Sequence, residues 1–401
     1  MAKIGVAGAG IGGLAVAAGL AQDGHDVRVF DRFETPLPVG SGLVVQPVGL
    51  AVLDELGAGV QARTLGQRLR RMAGHEAAHG RPVLDVTYDP KGTGRQGLAM
   101  HRAALHSVLL QVAEAAGVAF TFKARIDGHA GSALRVNGAL TERFDLLVDA
   151  AGAASAVSPL RAKALPYGAI WGTVPWPDDT DLPGDELRQC YRRADRMIGV
   201  LPIGRAQSGG TKLAAIFWSL PTGTHGAWRA TALAEWKAEA EALWPAMAPF
   251  LDHVRDHGDM TYAQYSHGAL GRPFTGSIVH IGDAWHRASP QLGQGANMAL
   301  LDAHALRLAV REGPLREAGH RMWNARRVHV ALYQRLSAAF TPQYQSDSRF
   351  LPVLRDRVLF PVAQIWPARQ ILPRLARGHL VPPVMAGLSP LRAVTPGAAT
   401  A

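Results

Sequence analysis

The 401 residues include one cysteine, Cys190. A single thiol excludes an internal disulfide, a CxxC redox pair and a thiolate zinc site, and it suits a reducing cytoplasm. The sequence has no uninterrupted apolar run of about 20 residues, so no membrane-spanning helix is expected. It has no internal repeats, and no metal site is assigned. Charged residues make up 18% and apolar residues 48%, which describes a soluble globular protein. The length exceeds one simple core and suits two domains. The formal charge is +10, mostly arginine. Those arginines are dispersed and no nucleic-acid module accompanies them, so no nucleic-acid partner is expected. Holding anionic cofactors and substrates is the preferred account, with steering toward an acidic carrier or a membrane face left open.

The chain opens with KIGVAGAGIGGLAVAAGLAQDGHDVRVFDR over residues 3–32. Residues 4–7 read as a buried strand, 14–22 as an Ala/Leu helix stopped by Gly24, and 25–30 as a second strand. Gly8, Gly10 and Gly13 fall on the G-x-G-x-x-G spacing, with Ile11 and Gly12 between them. Gly8 allows the tight turn, Gly10 lets backbone approach a pyrophosphate, and Gly13 lets helix pack on strand. The helix N-terminus offers unpaired N–H groups to phosphate. Asp31 suits the ribose hydroxyls and repels a 2′-phosphate, so FAD or NAD is favoured over NADP. A plain glycine turn is the rival reading. A signal peptide is set aside, because glycines weaken the helix a signal needs and its removal would orphan the second strand.

Farther along, Gly40 and Gly42 make a second glycine turn before Leu43, Gln46 and a helix over 48–56. Residues 62–87 read as strands leaving the dinucleotide layer, and 93–100 return to it. A helix over 101–116 begins with Arg102, either solvated or a clamp on cofactor phosphate. Strands are read over 118–126, 133–136 and 144–150, with Asn137-Gly138 as a hairpin turn and Gly152 as a later turn. Residues 165–271 form a strand-rich second domain holding Trp171, Trp176, Trp218, Trp228, Trp236 and Trp244. Such aromatics are core or pocket, and a flat apolar substrate fits an aromatic-lined face. A second strand–glycine loop–helix unit runs from 277 through Gly282-Asp283 and Gly293-Gln294-Gly295 into a helix over 296–310. A basic helix follows over 316–339. The apolar, Arg-punctuated residues 340–383 pack back on the domains or on a second subunit, with an amphipathic membrane contact as a third reading.

Both glycine units together resemble the single-component FAD-dependent aromatic hydroxylases, the para-hydroxybenzoate hydroxylase-like group. Gly282 to Asn297 read GDAWHRASPQLGQGAN, matching that family's G-D-A-x-H-x-x-x-P-x-x-G-x-G-x-N. The resemblance spans roughly residues 3–339. It implies an α/β fold: a Rossmann-like FAD-binding domain with an inserted β-rich substrate domain and a helical C-terminal region. The divisions implied are 1–64, 97–164 and 272–330 for FAD, 65–96 and 165–271 for substrate, 331–390 for the helical region, and 391–401 as a disordered tail.

The resemblance also implies roles. Gly8, Gly10, Ile11, Gly12, Gly13, Asp31, Arg32, Arg102, Ile126 and Gly152 hold the cofactor. Asp283 bonds the ribityl chain and Pro290 lies beside the isoalloxazine. Gly293, Gln294, Gly295, Ala296 and Asn297 hold the ring's polar edge, and Gly42, Leu43 and Gln46 pass its face. NAD(P)H is the implied reductant, and O2 reacts through a flavin C4a-hydroperoxide to hydroxylate an aromatic or polyketide-like molecule. Ala151 and Ser158 stand where the family carries an acid and an arginine tied to nicotinamide handling, with Asp149 or Arg161 as possible replacements. No catalytic base is assigned. Gln46, His286 and Pro290 are weak candidates, and His267 and Tyr262 weaker. A flavin dehydrogenase or oxidase that inserts no oxygen and a non-catalytic flavin-binding partner are the alternatives. A cytoplasmic monomer or homodimer is expected.

Overall fold

The computed structural model describes residues 1–34 and 42–385. Gly40 of the second glycine turn and the tail 391–401 lie outside the described residues. The first layer is a six-stranded sheet with Lys3–Ala7 at its centre. Asp26–Phe30 and Ala119–Thr121 lie on one side of it, Leu146–Asp149 and Ile278–His280 on the other, all in parallel register. The central strands Lys3–Ala7, Leu146–Asp149 and Ile278–His280 are short, mostly apolar and buried, as strands covered on both faces must be, while Asp26–Phe30 alternates exposed and buried residues. The helices Ile11–Gln22, Arg102–Ala115 and Gly295–Arg311 contribute nearly half of the buried apolar side chains packed on this layer.

A second, eight-stranded sheet takes strands from three separate stretches of chain. Arg71–Glu76 and Pro82–Thr87 join Lys163–Pro175, Glu186–Arg192, Arg196–Pro202, Leu213–Pro221, Met260–Ala269 and His286–Arg287. Its two faces differ in use. Ile170, Cys190, Ile198, Ile216 and Trp218 pack outward with Trp228, Trp236, Trp244 and Phe250. The alternate residues Trp171, Gln189, Tyr191, Met197 and Phe217 face the interior cavity. Five of the six tryptophans named above therefore belong to or pack on the outer core, and Trp171 alone faces the cavity.

Several elements differ from the sequence reading. Residues 62–65 end a helix, Gly59–Leu65, with Gly59, Ala62 and Leu65 buried at three-residue spacing. The stretch 118–126 is two strands in different sheets, parted at Lys123, which takes positive φ. Asn137-Gly138 does form the turn, both residues at positive φ between paired Val136 and Ala139. The helix Ala318–Tyr344 runs unbroken past residue 331.

That helix carries a pH-sensitive attachment. His329 is fully buried, with Nε2 3.1 Å from the Gly378 carbonyl and Nδ1 3.1 Å from Arg326 Nη1. This pattern is satisfied by the neutral ring, which donates from Nε2 and accepts at Nδ1. Burial and then the Arg326 charge push its pKa down from 6.5 to about 3. Burial and nearby arginines push His304 down to about 4. The unfolded chain takes up these protons near 6.5, so the stabilisation is complete above that pH and lost as pH falls toward the folded values. Each histidine contributes a slope of at most about 1.4 kcal/mol per pH unit. Melting temperature is therefore expected to fall steadily below pH 6.5, and His329→Gln to flatten that dependence; a flat profile in the parent protein refutes the assignment.

Candidate functional site

The site begins at the first glycine loop. Gly8 has φ +98°, and a Cβ on it would lie 2.7 Å from the Ala150 carbonyl oxygen. The loop is clamped at Ala9 from two sides. Its N–H donates to Asp31 Oδ2 at 2.7 Å, and its carbonyl lies 2.8 Å from His106 Nε2. Asp31 Oδ1 accepts from the Phe33 N–H at 3.0 Å. Burial lowers the His106 pKa, which keeps the ring neutral and able to donate from Nε2. His106 sits one turn after Arg102 on the helix Arg102–Ala115, so both reach the same side.

The second glycine loop is fixed by a buried carboxylate. Asp302 Oδ2 lies 2.7 Å from His286 Nε2 and accepts from the Gly282 N–H at 3.1 Å, while Oδ1 accepts from Arg326 Nε at 2.9 Å. Burial opposes its ionisation, but His286 and Arg326 outweigh that and hold Asp302 below the usual carboxylate range. Gly282 has φ +57°, a left-handed turn that suits glycine.

Both loops open on one cavity of about 1350 Å3. Gly8, Gly10, Ile11, Gly12, Asp31 and Arg32 line it from the first unit, with Arg102, Ile126 and Gly152 beside them. Asp283, Pro290, Gly293, Gly295 and Ala296 line it from the second. Gly42, Leu43 and Gln46 form another wall, and the aromatic face of the large sheet continues it. The C-terminal residues Tyr344, Arg355, Phe360 and Leu372 also line it.

The structure moves several candidate residues off the cavity wall. Gly13 works in packing alone: a Cβ there would lie 1.9 Å from the Gly8 carbonyl oxygen. Gln294 turns away and donates from Nε2 to the Ala376 carbonyl at 3.0 Å. Asn297 is fully buried, and its amide accepts from the Gln46 N–H at 2.7 Å while donating to the carbonyls of Val44 and Gly293. It holds the Gly42–Val45 wall rather than a ligand. His286 is spent on Asp302. His267 Nε2 accepts from the Ser289 N–H at 2.8 Å. Tyr262, by contrast, stays on the cavity wall, with its ring stacked on His225 at 4.7 Å.

The proposed replacements in the middle motif also lie elsewhere. Asp149 is buried against His280 at 2.7 Å and accepts from Ser155 Oγ. Arg161 is exposed and off the cavity wall. Ser158 donates to the Ala284 carbonyl at 2.6 Å.

Two features test whether a dinucleotide fits. A Cβ on Gly10 would meet nothing within 4 Å, so the helix N-terminus of Ile11–Gln22 faces an open cradle without a side-chain cap. Gln46 is fully buried beside the Tyr88 hydroxyl, yet its amide nitrogen and oxygen make no well-formed hydrogen bond among the described residues. An open run of N–H groups and an unsatisfied amide in one cavity are what a phosphate-and-ring ligand satisfies.

Residues 1–327 match the family described as FAD binding domain. The chain belongs to this family. The FAD-dependent urate hydroxylase of Klebsiella pneumoniae subsp. pneumoniae is 28% identical over 322 residues, 77% of this chain and 81% of that protein. The 3-amino-4-hydroxybenzoate 2-monooxygenase of Streptomyces cremeus is 26% identical, covering 76% of this chain and 77% of that protein. The solved structure of Klebsiella pneumoniae HpxO complexed with FAD and uric acid has the same fold at TM-score 0.80 and 22% identity, covering 95% of this chain and 97% of that one. FAD is the family's cofactor, and the chain is a member of a class of flavin-dependent monooxygenases. No helix among the described residues is long and apolar enough to cross a membrane.

The two glycines give opposite expectations. Gly10→Val leaves the fold and melting temperature intact but lowers flavin affinity at least about tenfold, the loss of one charge-assisted hydrogen bond. Gly13→Ala overpacks the helix against Gly8 and costs about 1–3 kcal/mol of stability. Flavin titration and thermal melting separate them, and equal behaviour of the two variants contradicts the assignment.

Proposed function

We propose that the protein hydroxylates an aromatic or polyketide-like small molecule, using NAD(P)H as reductant and O2 as oxidant. The observation that carries this reading is the continuity of one cavity from two backbone cradles to an aromatic floor. Bound FAD supplies the redox and oxygen-activating chemistry. One oxygen atom enters the substrate, the other leaves as water, and the nicotinamide gives up two electrons.

The chain's own residues bind, orient and exclude water. Gly10 and the N-terminus of Ile11–Gln22 take the pyrophosphate, Asp31 the ribose, and Arg102 a phosphate oxygen. Asp283 and the N–H groups around Gly293 to Ala296 take the ribityl chain and ring edge. Gln46 offers its free amide to the ring or to the substrate.

The floor supports a flat ligand. Trp171 and Phe217 have ring centroids 4.6 Å apart, and Trp171 Nε1 donates to the Tyr265 hydroxyl at 2.8 Å. Tyr191 donates to Gln189 Oε1 at 2.7 Å. These bonds leave mainly ring faces for an aromatic guest, and closure by the C-terminal residues keeps water from the reacting atoms. No side chain on the floor is assigned as a base. A cytoplasmic monomer or homodimer is the form we propose.

Purified protein with FAD is expected to consume NAD(P)H and O2 faster in the presence of substrate, and to yield a product heavier by one oxygen. A product without added oxygen shifts the reading to a dehydrogenase or oxidase, and a bound flavin that never turns over removes catalysis. Trp171→Ala is expected to lower kcat/KM by about tenfold or more, since a buried aromatic contact contributes about 1–3 kcal/mol, while flavin content stays unchanged.

A further inference from the structure

Eight of the twelve large apolar side chains exposed among the described residues fall between residues 350 and 371. Trp366 is 69% exposed, Phe350 68%, Ile365 63%, Val353 56% and Val362 52%. Exposed apolar residues scattered singly need no explanation, but a contiguous group does. The segment is not a loosely attached flank. Arg355, on its inner side, is buried between the rings of Tyr191 and Tyr344 at 5.1 and 5.0 Å. Its guanidinium donates to the Gln343 carbonyl at 2.8 Å and to Asp356 at 2.6 Å.

Charge identifies what covers the outer side. Arg349, Arg357, Arg369 and Arg374 are exposed around the apolar group, and the one acid between 349 and 374, Asp356, is bonded to Arg355. A second copy docking on this face by a two-fold axis would set arginine against arginine. An anionic lipid surface takes both components, arginines at the headgroups and tryptophan with aliphatic side chains at the acyl boundary. The same segment walls the cavity, because Leu359, Val362 and Ile371 are at once exposed and part of its lining.

We propose that residues 349–374 form a docking surface that lies on an anionic bilayer, with the C-terminal wall of the cavity against the lipid. This goes beyond the hydroxylase reading and does not depend on it. The full chain loaded with FAD is sedimented with phosphatidylcholine vesicles, with and without phosphatidylglycerol, over a range of salt. The parent protein is expected to pellet with the phosphatidylglycerol vesicles, and less so as salt rises. The double variant Ile365→Glu, Trp366→Glu is expected to bind at least about tenfold more weakly, and Arg357→Gln with Arg369→Gln likewise, with flavin content and melting temperature unchanged. A parent protein that stays in the supernatant at low salt overturns the proposal. So does a parent dimer that the first double variant splits while vesicle binding is absent, because a second copy then covers the face.

Discussion

Two helices from opposite ends of the chain must lie almost in contact for this site to exist. Ile11–Gln22 and Gly295–Arg311 cross where a Cβ on Gly12 would lie 3.2 Å from the Ala299 methyl. At their far ends Asp23 accepts from Arg307 at 2.8 Å and from Arg311 at 2.5 Å, tying the pair together. Small residues set the separation and the ion cluster fixes the relative slide. Each helix begins at a glycine loop, so bringing the helices together brings both loops to one cavity. Polar clamps then hold each loop: half-buried Asp31 and buried His106 on the first, buried Asp302 on the second. Such clamps cost desolvation energy and contribute little net stability. Their value here is geometric, because they fix N–H groups that face the cavity.

The remaining walls depend on that arrangement through Asn297. It is the third residue of the second helix, and its three hydrogen bonds reach Gln46, Val44 and Gly293. Any shift of the helix therefore moves the wall that carries the unsatisfied Gln46 amide. The C-terminal segment is joined to the same helices through Arg326, which contacts Asp302, His329 and the Pro383 carbonyl. Cofactor cradle, inner wall and outer cover thus share one rigid support.

What the sequence reveals divides along the range of the interactions involved. The first glycine loop is legible because positive φ at Gly8 and the close approach at Gly13 are local demands that only glycine meets cheaply. Asn137-Gly138 is legible for the same reason. The helix Gly59–Leu65 is misread because its few apolar residues are too short a run to separate helix from strand. His286 and Asn297 belong to a recognisable motif, yet their partners are a carboxylate sixteen residues away and a strand 250 residues away. Residue type and spacing do not reveal such partners. His106 shows a missed signal, since its position one turn after Arg102 places it on the same helix face. Arg355 offers none, because its burial depends wholly on Tyr191 and Tyr344.

The two faces of the large sheet carry a further consequence. Phe217 and Trp218 are sequence neighbours, yet one looks into the cavity and the other into the outer core. The period of a strand thereby separates two kinds of selection at single-residue resolution. On the proposed function, drift at Trp171, Tyr191 or Phe217 retunes the guest, while drift at Ile170, Ile216 or Trp218 answers to packing. On that reading a lineage built on this sheet changes its chemistry's target without renegotiating its architecture.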